Sequence, residues 1–328
     1  MKRLGIVGAG SIVKFHLDAA KLAGFSPVVI CGREKSMRAK SISQLYPELV
    51  AVDNLEMLLE FEFDALVVAV SVESSVGVLE KCLKRGVPVL VEKPVSLDPS
   101  ILQHFSHLYS DKVRVGYNRR FYSSVERFKE EIVKESGSVQ VVISELPNSS
   151  SSSSKERVNA LLTNSVHVLD LLRYLFGEIT LINVQKTFNA NSIQSISAQI
   201  FGKTQYMGDL RVLFGVPEVY SIVYWNQGCS VELKPLEVLN KSTSLKITMP
   251  NEASPVKKYD KIMEVWNVDS KDTAAKPGFL SQYRDFFQFT LGDNGTSKLA
   301  TLRDAQLAIE LAMSLIRDSE TNLNLSDL

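Results

Sequence analysis

Short apolar runs alternate with helical patterns over the first part of this chain, from residue 1 to about residue 117. After the amino terminus, the apolar runs cover residues 28–30, 66–70, 87–91 and 113–115, and the helical patterns cover residues 34–46, 73–85 and 98–110. Such alternation predicts a parallel sheet covered by helices on both faces. In sheets of this kind, ligands bind at the carboxyl ends of the strands.

The amino terminus adds a tight turn to this pattern. An apolar run at residues 3–7 leads directly into Gly8-Ala9-Gly10 and then into a stretch of helical character. In dinucleotide-binding domains the first glycine permits the turn, and the second lets the backbone approach a pyrophosphate held at the helix N-terminus. Gly8 and Gly10 fill these two positions, but the third, usually a small residue, is Val13. A plain strand-to-helix turn remains the alternative interpretation.

The end of the second strand bears on the choice of nicotinamide cofactor. An acidic residue there binds the ribose 2′-hydroxyl of NAD, whereas an arginine accommodates the 2′-phosphate of NADP. The chain has Gly32 and Arg33 at this point, with Ser36 and Arg38 close by and no carboxylate on the strand end. NADP(H) is therefore the preferred cofactor, with NAD(H) also possible. In the alternative, Arg33 is solvated and Glu34 binds the ribose.

A lysine follows the fifth strand, in the tripeptide Glu92-Lys93-Pro94. At the carboxyl edge of a parallel sheet, this lysine would lie beside the bound nucleotide. Together with Gly8-Ala9-Gly10 and residues 116–121, the tripeptide resembles the glucose-fructose oxidoreductase / inositol dehydrogenase / MocA (Gfo/Idh/MocA) family over nearly the whole chain. The resemblance implies an α/β fold: an N-terminal Rossmann domain with a doubly wound parallel sheet, then a C-terminal α+β domain on a mainly antiparallel sheet. It also implies that Lys93 points at the nicotinamide C4 and the substrate hydroxyl, and that the Lys93–Pro94 bond is cis.

In this family the acid/base is a histidine, in a pattern of aspartate, three residues, histidine, two residues and aspartate. His167 and Asp170 match this pattern, but the residue four before the histidine is Thr163. Residues four apart share a helix face, so the missing carboxylate removes a charge-assisted hydrogen bond of about 1.5–3 kcal/mol, or roughly ten- to a hundredfold in rate. Asn164 and Asp170 lie near the same face and could replace it. The alternative is that His167 is a core residue of an amphipathic helix.

The resemblance implies that Lys93 and His167 are catalytic. The candidate cofactor-binding residues lie in the glycine turn and near strand ends: Gly8, Gly10, Ser11, Ile12, Arg33, Ser71, Glu92 and Lys93. The candidate substrate-binding residues follow the sixth strand or lie on the histidine helix: Tyr117, Asn118, Arg120, Asn164 and Asp170. The predicted reaction moves a hydride between nicotinamide and a carbinol carbon of a sugar, polyol or sugar nucleotide. Thr163 leaves open a sensor or partner subunit that binds without turnover, and also an enzyme that reduces a conjugated double bond.

The length of 328 residues suits two domains, since single cores stop growing below this size. We predict a Rossmann domain over residues 1–118 and a substrate-binding and oligomerisation domain over residues 119–328, whose last helix could pack back on the first domain. Period-two patterns near residues 195–200 and 220–225 predict the antiparallel sheet, and one apolar face of it, with Leu213, Val223 and Trp225, predicts a homodimer or homotetramer. The serine run at residues 149–154 predicts a loop, either a lid or a plain linker.

Composition argues against several other classes of protein. The formal net charge is zero, so no broad electrostatic field attracts nucleic acid or an anionic membrane. Three scattered cysteines argue against a disulfide framework. Met1 leads straight into a strand and no run of about 18 apolar residues is present, so we expect no signal peptide, no membrane span and a cytoplasmic location. His104 and His107 lie three apart, but no complete ligand set surrounds them, and no metal is predicted.

Overall fold

The computed structural model describes residues 1–132, 136–145, 153–190, 192–202, 206–268, 275–293 and 297–317. The chain divides into two compact units, Met1–Phe121 with Ser270–Glu310, and Tyr122–Asp269 with Leu311–Leu328. These units differ from the limits expected from the sequence, because the described residues from 275 to 310 belong with the amino-terminal part. Most of the predicted serine loop lies outside the described residues. Its end is described, where Ser153 caps the next helix through a capping box with Glu156.

The strands, in chain order, are β1 (Lys2–Val7), β2 (Phe25–Cys31), β3 (Val50–Val52), β4 (Ala65–Val68), β5 (Val89–Val91), β6 (Val113–Val115), β7 (Gly137–Glu145), β8 (Ile179–Asn189), β9 (Ser192–Gly202), β10 (Tyr206–Phe214), β11 (Ser221–Asn226), β12 (Cys229–Leu233), β13 (Val238–Thr248) and β14 (Lys258–Asn267). The α-helices are α1 (Val13–Leu22), α2 (Met37–Ser43), α3 (Leu55–Leu59), α4 (Val72–Leu83), α5 (Pro99–Tyr109), α6 (Ser123–Ile132), α7 (Ser154–Ala160), α8 (Val166–Phe176), α9 (Phe279–Thr290) and α10 (Leu302–Ile316). A 3₁₀ turn covers Asn118–Phe121 and a π-helical turn covers Leu161–Ser165.

The first unit contains a parallel sheet in the order β3-β2-β1-β4-β5-β6. Its central strands are buried on both faces, which is why they read in the sequence as continuous apolar runs and not as alternating ones. On one side of β1 the sheet continues with β2 and then β3. On the other side it continues with β4, β5 and β6. The strand order therefore reverses beside β1, and such a switch point opens a crevice at the carboxyl ends of the strands.

The segment that returns to the first unit completes its core with aromatic side chains. Helix α9 packs against α1, and Phe286 stacks on Phe25 at 5.7 Å between ring centroids. Ala300 then forms an antiparallel bridge with Val115 at the edge strand β6. Thr301 caps α10, since its hydroxyl accepts from the N–H of Asp304 while its own N–H donates to that carboxylate.

The second unit contains an eight-stranded sheet in the order β14-β13-β12-β11-β7-β10-β9-β8. Every pair is antiparallel except β7 with β10, which are parallel. The predicted fold class is thus confirmed: a Rossmann-type parallel sheet followed by a second, mainly antiparallel sheet. Ile196, Ala198 and Ile200 of β9 are buried while the residues between them are less so, in agreement with the predicted alternation.

Strand β11 departs from that alternation. Ser221 and Val223, expected on a face directed away from the core, are buried, although slightly less so than Ile222 and Tyr224. Strand β11 lies inside the sheet, between β12 and β7. Trp225, at its end, is 37% exposed.

Candidate active site

The glycine turn joins β1 to α1 in the first unit. The N–H of Gly8 donates to the carbonyl of Cys31 over 2.8 Å, and its φ of 126° lies in a region that side chains disfavour. A Cβ at Gly8 would overlap the carbonyl of Ala69, whereas a Cβ at Gly10 would meet open space. The two glycines therefore have different roles. The fold requires a glycine at position 8, whereas Gly10 leaves the turn accessible to a ligand.

An open cavity of about 640 Å³ lies over this turn. It is lined by the turn itself, by the ends of β2 and β4, and by residues at the starts of α2 and α4, among them Gly10, Arg33, Ser36, Arg38, Ser71 and Ser74. Ser71 is the N-cap residue of α4, so the N–H end of a second helix is directed toward the cavity. Ser11 is exposed and Ile12 is the N-cap residue of α1, next to the turn. Open space at a glycine turn, with helix N-termini around it, fits a dinucleotide.

At the end of β2, neighbouring side chains leave no space for a side chain at Gly32. A Cβ on Gly32 would lie 2.5 Å from both Cβ and Oγ of Ser36 and 3.2 Å from Cβ of Ala9. Arg33 and Arg38 are exposed at the cavity wall. Glu73, on the first turn of α4, has a lowered pKa, mainly because it accepts a hydrogen bond from Ser71, with a smaller contribution from the charge of Arg33.

Lys93 follows β5, which is the neighbour of β4. The N–H of Glu92 donates to the carbonyl of Val68 over 2.8 Å, and this bond fixes the chain where the strand ends. The Lys93–Pro94 peptide is cis, as the family resemblance implied. Lys93 is half-buried. It lies at the carboxyl edge of the sheet, after β5, and the residues that follow the neighbouring strand β4 line the cavity.

The carboxylate of Glu92 lies in the interior of the first unit. Its Oε1 is 3.0 Å from Nε2 of the fully buried His16, in a contact whose N–H is not well aligned. Its Oε2 accepts from the backbone N–H of Lys93 at 3.2 Å. Burial acts to raise the pKa of Glu92, but the hydrogen bond from His16 and the charge of Lys93 outweigh it and lower that pKa. The role of Glu92 in cofactor binding stays a prediction, while its contact with His16 was not expected from the sequence.

Three further predicted residues lie directly after β6. Tyr117, Asn118 and Arg120 are all buried. The Asn118 amide donates to the carbonyl of Pro277 over 2.9 Å, and a guanidinium nitrogen of Arg120 is 3.6 Å from Asp304. These contacts hold the 3₁₀ turn within the first unit. A role for the three residues in substrate binding stays a prediction.

His167 is the second residue of α8 in the second unit, and both it and Asp170 are buried. Helix α8 continues from the π-helical turn, and such turns frequently mark functional sites. The hydroxyl of Thr163 donates back to the carbonyl of Asn159 at 2.8 Å. At the position where the family pattern has an aspartate, this chain therefore has a hydroxyl bonded to its own helix.

A buried carboxylate supports the π-helical turn from outside. Glu145, the last residue of β7, accepts from the amide of Asn164 at 3.0 Å, from the hydroxyl of Tyr220 at 2.7 Å, and from the hydroxyl of Ser165. Sequence reasoning missed Glu145, although a carboxylate that closes a strand with buried apolar positions is an unusual residue there. Among the described residues, Glu145 thus supplies a carboxylate to the segment that precedes His167.

Neither a metal-binding cluster nor a membrane-crossing helix is found in the described parts of the chain. The search for metals covered groups of three or more His, Cys, Asp and Glu side chains.

Comparison with known proteins finds matches for the amino-terminal part of the chain. Residues 2–119 match the Gfo/Idh/MocA family model, described as an oxidoreductase family with an NAD-binding Rossmann fold. An inositol 2-dehydrogenase of Rhizobium meliloti is 26% identical over 184 residues, which cover 54% of this chain and 55% of that enzyme. The chain thus matches only about half the length of the curated relatives. The resemblance deduced from the sequence is confirmed for this part.

Solved structures share the fold of the whole chain. A myo-inositol dehydrogenase from Corynebacterium glutamicum superposes with a TM-score of 0.71 at 17% identity, covering 96% of each chain. A UDP-N-acetylglucosamine 3-dehydrogenase from Acidithiobacillus ferrooxidans gives 0.74 at 15% identity, again over 96% of each chain. At these identities the likeness concerns the fold alone.

Proposed function

We propose that this chain, whose residues 2–119 match the Gfo/Idh/MocA oxidoreductase family model, is an NAD(P)-dependent dehydrogenase that acts on CH–OH groups. The observation that carries the proposal is Lys93, half-buried at the carboxyl end of β5, one strand along from the dinucleotide cavity. A bound nicotinamide would supply the hydride acceptor or donor. The substrate would be a sugar, a polyol or a sugar nucleotide.

Lys93 and His167 are proposed as the catalytic residues, as the resemblance to the family implies. In the oxidative direction the hydroxyl proton passes to the imidazole of His167, which acts as general base. For Lys93, the family resemblance implies a hydrogen bond from its ammonium to the substrate oxygen, which would stabilise the negative charge that develops there. Tyr117, Asn118 and Arg120 would shape the substrate pocket, and Asn164 and Asp170 would orient His167 or the substrate.

NADP(H) is the proposed cofactor in preference to NAD(H). The crowding of Gly32 by Ser36 leaves no room for an acidic residue on the strand end without movement of Ser36, and such a residue is what favours the ribose of NAD. The exposed guanidinium groups of Arg33 and Arg38, beside the Ser36 hydroxyl on the cavity wall, provide donors for a 2′-phosphate.

The substitution Arg33→Ala tests this preference. We expect the dissociation constant for NADPH to rise about ten- to a hundredfold, because a charge-assisted hydrogen bond contributes roughly 1.5–3 kcal/mol, while that for NADH stays within a factor of two. Fluorescence titration of the reduced cofactors measures both. Glu34→Gln is the matched control: if it weakens NADH binding and Arg33→Ala leaves NADPH unaffected, Glu34 binds the ribose and the preference is wrong.

The experiment that tests the activity is an absorbance screen at 340 nm. Both oxidised cofactors are offered with polyols, aldoses and nucleotide sugars, starting with myo-inositol and UDP-N-acetylglucosamine because relatives named for these substrates share the fold. Reduction of a cofactor by any member of the panel supports the dehydrogenase. Tight cofactor binding with no turnover across the panel contradicts it.

A second candidate is a sensor that binds the cofactor or a sugar nucleotide without turnover. The observation in its favour is Thr163, whose hydroxyl is bonded to Asn159 and brings no charge. The buried Glu145 argues for the enzyme instead, because it supplies a carboxylate to the π-helical turn that comes before His167. The 340 nm screen separates the two, because only the enzyme oxidises its ligand.

Assembly into a homodimer or homotetramer is proposed to involve the second sheet. Leu245, Ile247 and Tyr259 lie on one face of the β13–β14 pair, as their register shows, and each is more than half exposed. We expect light scattering at micromolar concentration to give a mass of two or four times 36.5 kDa, and Ile247→Asp to lower it. A monomeric wild-type protein would contradict this assembly.

A further inference from the structure

His16 is an imidazole enclosed in the first unit, one turn into the helix that begins at the glycine turn. The side chain is fully buried, and both ring nitrogens face polar groups. Nδ1 is 2.8 Å from the hydroxyl of Tyr283 on α9, and Nε2 is 3.0 Å from Oε1 of Glu92. The ring of Phe279 closes one side at 5.0 Å between centroids.

A single tautomer accounts for both contacts. Burial, together with the charge of Glu92, raises the pKa of Tyr283 well above its ordinary value, so the phenol keeps its proton and can donate to Nδ1. Nε2 then carries the ring proton and presents it to the Glu92 carboxylate. The result is a series of polar contacts from Tyr283 through His16 to Glu92, whose pKa is lowered.

The series of polar contacts ends at the backbone N–H of Lys93, which donates to Glu92. Strand β5 ends at Val91, so the regular strand ladder stops before Lys93. Beyond the strand, Glu92 fixes the backbone: its N–H donates to the carbonyl of Val68, and its Oε2 accepts from the N–H of Lys93. Gly116 closes the remaining side, since a Cβ there would lie 3.0 Å from Oε1 of Glu92.

We propose that His16 and Tyr283 are positioning residues for Lys93, which act by holding the Glu92 carboxylate in the one orientation that fixes the lysine backbone. This inference rests on the proposed function for its effect on turnover. It also connects two parts of the site, because His16 is on the helix that starts at the glycine turn and Glu92 precedes the lysine. A buried polar network is more costly to form than apolar packing of the same volume, and orientation is a reason to retain it.

The substitution Tyr283→Phe removes one oxygen and keeps the ring. We expect kcat to fall about tenfold, while KM for the substrate and the dissociation constant for the cofactor stay within a factor of two. The matched control is Tyr46→Phe, which removes the hydroxyl that Tyr46 donates to Asp18 at 2.6 Å on the surface of the same unit and should leave kcat unchanged. If the two variants have equal kcat, the positioning role is wrong.

At position 16, rescue separates positioning from packing. His16→Leu fills space but makes neither polar contact, whereas His16→Asn retains one donor and one acceptor. We expect His16→Asn to keep at least five times the kcat of His16→Leu at a similar melting temperature. Equal loss in the two variants would mean that His16 only fills the core.

A readout without turnover keeps this inference separate from the proposed activity. Lysines of the folded protein are reductively methylated with ¹³C-formaldehyde and sodium cyanoborohydride, and the NMR signal of Lys93 is the one that Lys93→Met lacks. We expect Tyr283→Phe to shift this signal and Tyr46→Phe to leave it in place. If Tyr283→Phe shifts the Lys93 signal but the wild-type protein has no turnover, the proposed activity is wrong and the positioning role stands. If the protein is active and Tyr283→Phe leaves the signal in place, only the positioning role is wrong.

Discussion

Replacement of Lys93 by methionine is expected to lower kcat about 10²- to 10⁴-fold, the range that a positioned proton-transfer or oxyanion-stabilising group supplies. Methionine keeps a flexible apolar side chain and removes the ammonium. Because Lys93 follows β5 and is not part of the cavity wall around the glycine turn, the dissociation constant for the cofactor should stay within about a factor of three. Steady-state kinetics and fluorescence titration of the reduced cofactor measure the two quantities.

The control for Lys93 is Lys112→Met, which removes an ammonium elsewhere in the same unit, before β6. It should leave both kcat and cofactor binding unchanged. Equal losses of turnover and cofactor affinity in Lys93→Met would assign Lys93 to cofactor binding. Unchanged turnover would remove it from the chemistry altogether.

The substitution Gly8→Ala is expected to destabilise the first unit by about 4 kcal/mol or more, a loss that only a few mechanisms produce. Two of them coincide at this residue. The φ of 126° is unfavourable for any side chain, and the added Cβ would overlap the carbonyl of Ala69 on β4. Denaturant unfolding followed by circular dichroism measures the loss, and cofactor binding should disappear with the fold.

Gly10→Ala is the matched variant in the same turn. Its Cβ would meet open space, so the free energy of unfolding should change by less than about 1 kcal/mol, as expected for a substitution without a clash. Cofactor affinity should still fall, because the methyl group projects where the backbone must approach a pyrophosphate. If Gly8→Ala unfolds at the same denaturant concentration as the wild type, the turn does not have the described geometry.

The parallel sheet was predictable because its strands are buried on both faces and its crossovers are local. Each run such as residues 66–70 is apolar without interruption, and the glycine turn and Lys93 follow from strand ends that need no long-range information. The confirmed family resemblance rests on these same segments. Helix α9 shows the limit: it belongs to the first unit, although nearly the whole of the second unit separates it from β6 in the sequence.

The buried contacts of His16 show the same limit in the site. The partner of Nδ1, Tyr283, is 267 residues away in the sequence, and no local pattern connects the two. Glu145 was missed for a similar reason, because its donors come from the π-helical turn and from Tyr220, which lie on other elements. In β11, the alternation of residue types predicts two unlike faces, but Ser221 and Val223 are buried along with Ile222 and Tyr224.

The measurement that tests hydride transfer most directly follows an isotopic label. The wild-type protein is incubated with NADP⁺ and a substrate from the 340 nm screen that is deuterated at its carbinol carbons, and the reduced cofactor is analysed by mass spectrometry. We predict deuterium at the nicotinamide C4 in the wild type, and label near background with Lys93→Met. Reduced cofactor without deuterium, or bound cofactor and substrate that both remain unchanged, would contradict the proposed dehydrogenase.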